Sequence, residues 1–288
     1  MKSLISFAPL ALCGLALPAV PLHAACPADV DAALMAARHA NLQMVPNPSR
    51  DMTIEDAICG REKFTKFLAQ NYGKVIGFKA GLTNPAAQKQ FNVTYPVRGT
   101  LFERMILREG VEVPAKFGAR PVLEADLIVE VKDSKINKAK TPLEALRSVS
   151  RIYPFIELPD LLVENPKGLT GPGIVYINVA ARLGVLGKPI EVNASPTLLD
   201  ALANMTVRLV EEGGKELDTA KGSALLGQPM NVVLWLTQDV QKHGGSLKKG
   251  QLLSLGTFSR LHPPKPGAAV KVVYEGLPGN PTVSVRFK

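Results

Sequence analysis

The sequence predicts an α+β protein built round a β-rich core, with a small helical lobe at its N-terminal end. Two amphipathic helical stretches come first, and after residue 74 strand-like segments far outnumber helical ones. These strands do not alternate regularly with helices, which argues against a doubly wound sheet. A hydrophobic content of 46% indicates a folded chain with no membrane span after the N-terminal segment.

The first residues read as a secretory signal. Lys2 precedes an apolar run from Leu4 to Leu22, broken by Pro9, Pro18 and Pro21, which closes on the small residues Ala24 and Ala25. A transmembrane anchor is the alternative, but the run is short and no basic stop signal follows it. Lipidation at Cys26 fits less well, because Leu22 lies one place too far upstream. The organisation expected is a signal peptide over 1–25, a helical lobe over 26–110 and a β-rich catalytic core over 111–288, in a periplasmic or secreted protein. Removing the signal takes Cys13 with it and leaves Cys26 and Cys59. In an oxidising compartment that even pair suggests a disulfide, with two buried thiols as the alternative.

The elements follow in order. Pro27 to Gln43 reads as a helix with Val30, Ala33, Leu34 and Ala37 on one face. After a proline-containing loop, Thr53 and Asp56 have capping-box spacing and open a second helix, with Ile54, Ala57, Ile58, Phe67 and Leu68 inward. Lys74 to Leu82 is a short strand interrupted by Gly77 and Gly81, glycines that mark close approach of backbone or ligand. Lys79 stands between them, either a surface lysine or a cation where the wall is thin. Asn84 to Gln90 suits a short helix with Pro85 in its first turn, and Val93 to Leu101 a loop running into a strand.

Arg120 to Val131 is the stretch round which the rest is arranged. With a period of two, Leu123, Ala125, Leu127, Val129 and Val131 share an apolar face, and Glu124 and Asp126 project together from the other. Two neighbouring carboxylates are costly to bury unless something positive lies between them. One reading is a half-exposed strand carrying Glu124, Asp126 and Glu130 into water. The other gains from Glu157, a third acid set between Ile156 and Leu158, since three such acids can cage a hard divalent cation such as Mg²⁺.

Between these two segments the lysine-rich stretch 132–140 reads as a solvated turn, and Thr141 to Arg151 as a helix. Asn165 to Gly173 is a loop able to cover a site, Ile174 to Ala181 a buried strand, and Arg182 to Pro189 a turn. Met205 to Ala220 forms a hairpin across Gly213 and Gly214. A helix from Pro229 turns Val232, Val233, Leu236 and Val240 inward and stops at Gly244. Gln251 to Gly256 is a buried strand, and 270–274 with 282–287 a closing hairpin.

Several chemistries are excluded. There is no nucleophile elbow, Walker loop or dinucleotide fingerprint, and His39, His243 and His262 are scattered. The formal charge of +9, or +8 without Lys2, is spread over the chain and not interleaved with aromatics. That distribution favours small anions and not nucleic acid.

The ordered strings Gly77-Phe78-Lys79-Ala80-Gly81, Leu123-Glu124-Ala125-Asp126-Leu127, Phe155 to Asp160, Gly222 to Pro229, Trp235-Leu236 and Leu247 to Gly256 together resemble the hydratase/decarboxylase branch of the fumarylacetoacetate hydrolase superfamily. The resemblance covers nearly all of the chain after the signal. It implies a β-rich mixed sandwich or roll, a homo-oligomer, and a Mg²⁺ or Mn²⁺ site whose ligands match Glu124, Asp126 and Glu157. The family's active-site lysine matches Lys79, and the implied substrate is a small anionic 2-keto acid. The expected activity is hydration of 2-hydroxy-2,4-dienoates, with decarboxylation or acylpyruvate hydrolysis as alternatives. The sequence departs from the family in three places. Asp126 stands where a glutamate is usual, Val97 where an acid is usual, and Ile177 where an aspartate is usual. Arg98, beside Val97, is the candidate to bind an anionic substrate group in compensation. The missing acid and the export signal also leave room for a non-catalytic periplasmic binder of metal and 2-keto acids.

Overall fold

A computed structural model describes residues 26–288; the proposed signal segment lies outside the described residues. Helices α1 (Asp29–Ala40) and α2 (Ile54–Tyr72) open the chain. They lead to β1 (Val75–Gly81), α3 (Pro85–Gln90), β2 (Val97–Phe102), β3 (Ile106–Arg108), β4 (Glu112–Val113) and β5 (Glu124–Val131). Next come α4 (Pro142–Arg147), β6 (Val149–Leu158), α5 (Gly171–Tyr176), β7 (Leu183–Leu186), β8 (Ile190–Glu191) and α6 (Pro196–Asn204). The hairpin β9 (Thr206–Glu211) and β10 (Glu216–Lys221), helix α7 (Pro229–Lys242), and β11 (Leu252–Ser254), β12 (Ala269–Glu275) and β13 (Thr282–Phe287) complete it. No helix of the described residues is long and apolar enough to cross a membrane.

The strands form two sheets. One runs β2-β1-β11-β5-β6-β7-β3, with β8 also on β6, and the other β10-β9-β12-β13-β4. The main apolar core lies between them. The alternation read in β5 holds: Leu123, Ala125, Leu127, Val129 and Val131 join this core with Val207, Leu209, Val272 and Val283. Helix α7 adds Val232, Val233, Leu236 and Val240, the face its sequence gives it. A second cluster joins α1 and α2 to α5 and the residues after it.

Packing does not follow a division at residue 110. Strands β1 and β2 belong to the main sheet, while residues 162–181 supply much of the helical lobe's core. In α1 the buried face is Ala32, Met35, Ala36 and His39, whereas Val30 and Leu34 are exposed. The small alanines let α1 lie close to α2. Cys26 and Cys59 are joined by a disulfide with Cα atoms 5.7 Å apart, which ties the start of the described chain to α2.

Residues 174–181, read as a strand, are the second half of α5 and a tight turn. Thr170 caps this helix through the Gly173 amide, with Pro172 in the first turn. Asn178, Val179 and Ala180 then adopt φ of 57°, 52° and 56°, three consecutive left-handed residues, none of them glycine. Arg182 to Pro189 is likewise more than a turn, because β7 within it pairs with both β3 and β6.

Candidate active site

The register of the main sheet brings the sequence-marked residues to one face. Glu124 lies directly opposite Glu157 across β5 and β6, so their side chains share a face, and Asp126 follows two places along. Lys79 on β1 pairs with Ser254 on β11, which pairs with Ile128 on β5, and so emerges on that same face. All four charged groups are buried, at 7% exposure for Glu124, 0% for Asp126, 2% for Glu157 and 3% for Lys79. The half-exposed reading of β5 is thereby excluded.

Each group has a distinct setting. The Lys79 ammonium is paired with Glu157 Oε1 and donates to the Val179 carbonyl at 2.9 Å. Asp126 accepts the Ser254 hydroxyl at Oδ2, and at Oδ1 the amides of Leu127, Leu255 and Gly256. Glu157 Oε2 is buried without any partner among the described residues. Burial, reinforced by the Glu157 carboxylate, pushes the Glu124 and Asp126 carboxyls well above the ordinary carboxylate range. Burial alone would lower Lys79, but the Glu157 and Glu124 carboxylates outweigh it and hold the ammonium above its usual value.

Ionised, three carboxylates and one ammonium leave two uncompensated negative charges inside the protein. Among the described residues no group of three His, Cys, Asp or Glu forms a ready metal cage, because Asp126 is turned toward its amides and Lys79 occupies Glu157. The donor set nevertheless fits a hard divalent cation. It is all oxygen, carries the matching excess charge, and includes the orphaned Glu157 Oε2.

A cavity of about 430 Å³ lies above this cluster, with Lys79 and Glu124 in its lining. Leu82, Ala87, Phe91, Leu161, Ile174 and Val179 form apolar walls, and Gln90, Ser259 and Arg260 add polar groups. Alternation on β5 and β6 cannot reveal these wall residues, since they come from loops, from α3 and from α5.

The left-handed turn forms one side of the site. Asn178 clamps it to β2, accepting the Thr100 amide at 2.7 Å and donating to the Thr100 carbonyl at 3.0 Å. Gly81 and Gly99 leave room for it. A β-carbon at Gly99 would lie 2.7 Å from the Asn178 carbonyl oxygen and 3.0 Å from Lys79 Cγ. At Gly81 it would lie 2.5 Å from a Val179 methyl. On the far side of β5, the buried Tyr274 of the second sheet inserts its hydroxyl between the two strands, donating to the Asp126 carbonyl and accepting the Phe155 amide.

Arg98 is a correction to the sequence reading. It pairs with Ala80, not Lys79, so it projects from the opposite face of the sheet. Its Nε donates to Asp239 on α7, and it lines a different cavity. Val97 does share the face of Lys79, buried at 3% exposure in the helical lobe's apolar cluster.

No family model matches the chain. It is 27% identical over 228 residues to 2-keto-4-pentenoate hydratase of Paraburkholderia xenovorans strain LB400, covering 79% of this chain and 82% of that protein. To 4-oxalocrotonate decarboxylase of Pseudomonas putida it is 24% identical over 247 residues, covering 86% and 90%. The structure of 4-oxalocrotonate decarboxylase from Pseudomonas putida G7, complexed with magnesium and adipate, superposes with a TM-score of 0.77 at 21% identity. That superposition covers 92% of this chain and all of the other, and shows that the two share a fold.

Proposed function

Because the chain belongs to the hydratase/decarboxylase branch of the fumarylacetoacetate hydrolase superfamily, we propose that it is an exported, metal-dependent hydratase of 2-hydroxy-2,4-dienoates. The observation that carries this reading is the gathering of three buried carboxyl groups and Lys79 on one face of the sheet, at a cavity that Lys79 and Glu124 line. Glu124, Asp126 and Glu157 would hold a divalent cation, Mg²⁺ or Mn²⁺. When bound, it supplies positive charge that stabilises negative charge developing on a 2-keto oxygen. The magnesium and calcium complexes of the structurally similar decarboxylase support a divalent ion.

The protein's own groups have separable tasks. The carboxylates round Lys79 keep its ammonium charged, which suits it to hold a substrate carboxylate or to present a proton at Nζ. The Val179 carbonyl and Glu157 fix the direction of that ammonium. The apolar walls exclude water from the carbon chain of the substrate. Arg260 lies in the lining and offers a contact for a second anionic group, which supports the 4-oxalocrotonate-type decarboxylase as the alternative chemistry. The disulfide of Cys26 with Cys59 supports an oxidising compartment.

The test is metal analysis of the protein, followed by ultraviolet assay of a 2-hydroxy-2,4-dienoate with Mg²⁺ or Mn²⁺. Loss of the dienoate absorbance, abolished in Glu124→Ala, supports the hydratase. An unchanged spectrum with dienoate and related 2-keto acids overturns it. Buried Val97, in place of the family's acid, favours the second reading, a binder without turnover. That protein would show ligand-dependent thermal stabilisation with no spectral change, and Val97→Asp would restore rate.

A further inference from the structure

Behind the site, on the face of β2 opposite Lys79, a second cavity of about 550 Å³ opens between α2, α7 and β2. Its lining includes two arginines, Arg61 at 3% exposure and Arg98 at 9%. Burying two guanidinium groups together is unfavourable unless anions meet them. Only one acid, Asp239, pairs directly with either of them, while the exposed Glu62 acts on Arg61 through space. Arg98 donates through Nε to Asp239 and lies 5.1 Å from the Phe78 ring centroid, while Arg61 donates through Nη1 to the Arg98 carbonyl at 2.7 Å.

Among the described residues the other guanidinium nitrogens have no protein acceptor, and none is sealed from solvent. They are donors open to the cavity. Burial, and then Arg98, push the Arg61 guanidinium down to about 10, as expected where positive charge is under-compensated. Arg61, Arg98 and Asp239 together leave one net positive charge in the wall. Glu55 and Lys242 are exposed and offset each other. The remaining wall is mostly apolar and aromatic, with Ile58, Val175, Trp235 and Tyr95, and adds the polar Gln238 and His243, whose Nδ1 lies 2.7 Å from the Asp239 carbonyl oxygen.

We propose that this cavity is a second ligand site, separate from the Lys79 cavity, that takes a small monocarboxylate with a flat apolar body. A single carboxylate matches the one residual charge, and the forked donors of two guanidinium groups suit its two oxygens. The apolar walls and Trp235 suit the body of such a ligand. Nothing in this assignment depends on the chemistry at Lys79.

Trp235 is the single tryptophan of the chain and lines this cavity but not the other, so it reports on this site alone. The test titrates the intact protein with benzoate and with its neutral analogue benzamide, following tryptophan fluorescence. The expected result is a saturable change with benzoate only, unaffected by Glu124→Gln. Arg61→Gln should weaken it about tenfold, the loss of one charge-assisted pair. Gln238→Glu, an exposed position in the same lining, adds a negative charge without disturbing the core and should also weaken benzoate. It carries the test should Arg61→Gln not fold. Equal responses to benzoate and benzamide, no saturable response to benzoate, or unchanged benzoate binding in Gln238→Glu would overturn the assignment.

Discussion

Lys79 donates to the carbonyl of Val179, a β-branched residue held at φ 52° between two others in the same left-handed conformation. A left-handed L-residue costs about 1 to 2 kcal/mol, so this turn persists only because its surroundings over-determine it. Asn178 is the principal restraint, through both polar groups of Thr100. Asn178→Ala leaves a buried amide and carbonyl unpaired and should cost about 2 to 4 kcal/mol in denaturant unfolding. Turnover should fall with it, as the acceptor that orients Lys79 moves. Gly99→Ala should act on the same contact by overpacking, at about 1 to 3 kcal/mol.

The acid cluster predicts opposite effects of one substitution. Burial and Glu157 hold the Glu124 carboxyl well above the carboxylate range, so in metal-free protein its charge opposes folding at neutral pH. Glu124→Gln should therefore raise metal-free stability by about 1 to 3 kcal/mol. The same variant should lose most of the rise in melting temperature that Mn²⁺ gives the wild type. Thermal melts with and without Mn²⁺ after chelator treatment measure both effects. A variant that melts lower than wild type without metal would contradict the charge argument.

His39 predicts acid sensitivity remote from the site. Burial, with the Arg182 guanidinium nearby, lowers its imidazole to about 3, from 6.5. The native state therefore excludes a proton that the unfolded state accepts, and stability is lost as pH falls from 6.5 toward about 3. The loss is about 1.4 kcal/mol per pH unit, or about 2 kcal/mol between pH 7 and pH 5. The raised Glu124 and Asp126 carboxyls change stability in the opposite sense over this range. The His39 loss is therefore read as the difference between wild type and His39→Phe in urea midpoints at the two pH values, the variant gaining on wild type by about 2 kcal/mol from pH 7 to pH 5.

The Cys26–Cys59 bridge closes a loop with a sequence separation of 33. Chain-entropy arguments give such a cross-link about 3 to 4 kcal/mol. Unfolding in reductant should show a loss of that order, and alkylation of unreduced protein should find no free thiol at either position. Two reactive thiols would remove the support for an oxidising compartment.

What the sequence reveals follows from how local each signal is. The β5 acids were legible because alternation is a property of the strand itself, and the Pro229 helix because its cap and period agree. Ile174 to Ala181 misled because its apolar run fits either element, although Thr170 and Pro172 mark a helix start. Ser195 and Pro196 give the same signal for α6. The left-handed turn had no local signal, since Val179 and Ala180 disfavour it and contacts from β2 impose it. The face of Arg98 is hidden from the sequence for a related reason. Which face it takes depends on the register of β2 with β1, a tertiary fact.

The hydroxyl of Tyr274 has a consequence for the order of assembly. It sets the spacing of β5 and β6 beside the acids, yet is separated from Asp126 by 148 positions in the chain. Contacts so distant in sequence form late. During synthesis the acids and Lys79 are all present long before β12 arrives to part the two strands. A chain truncated before residue 269 would thus retain every charged group of the site but lack the wedge that spaces them.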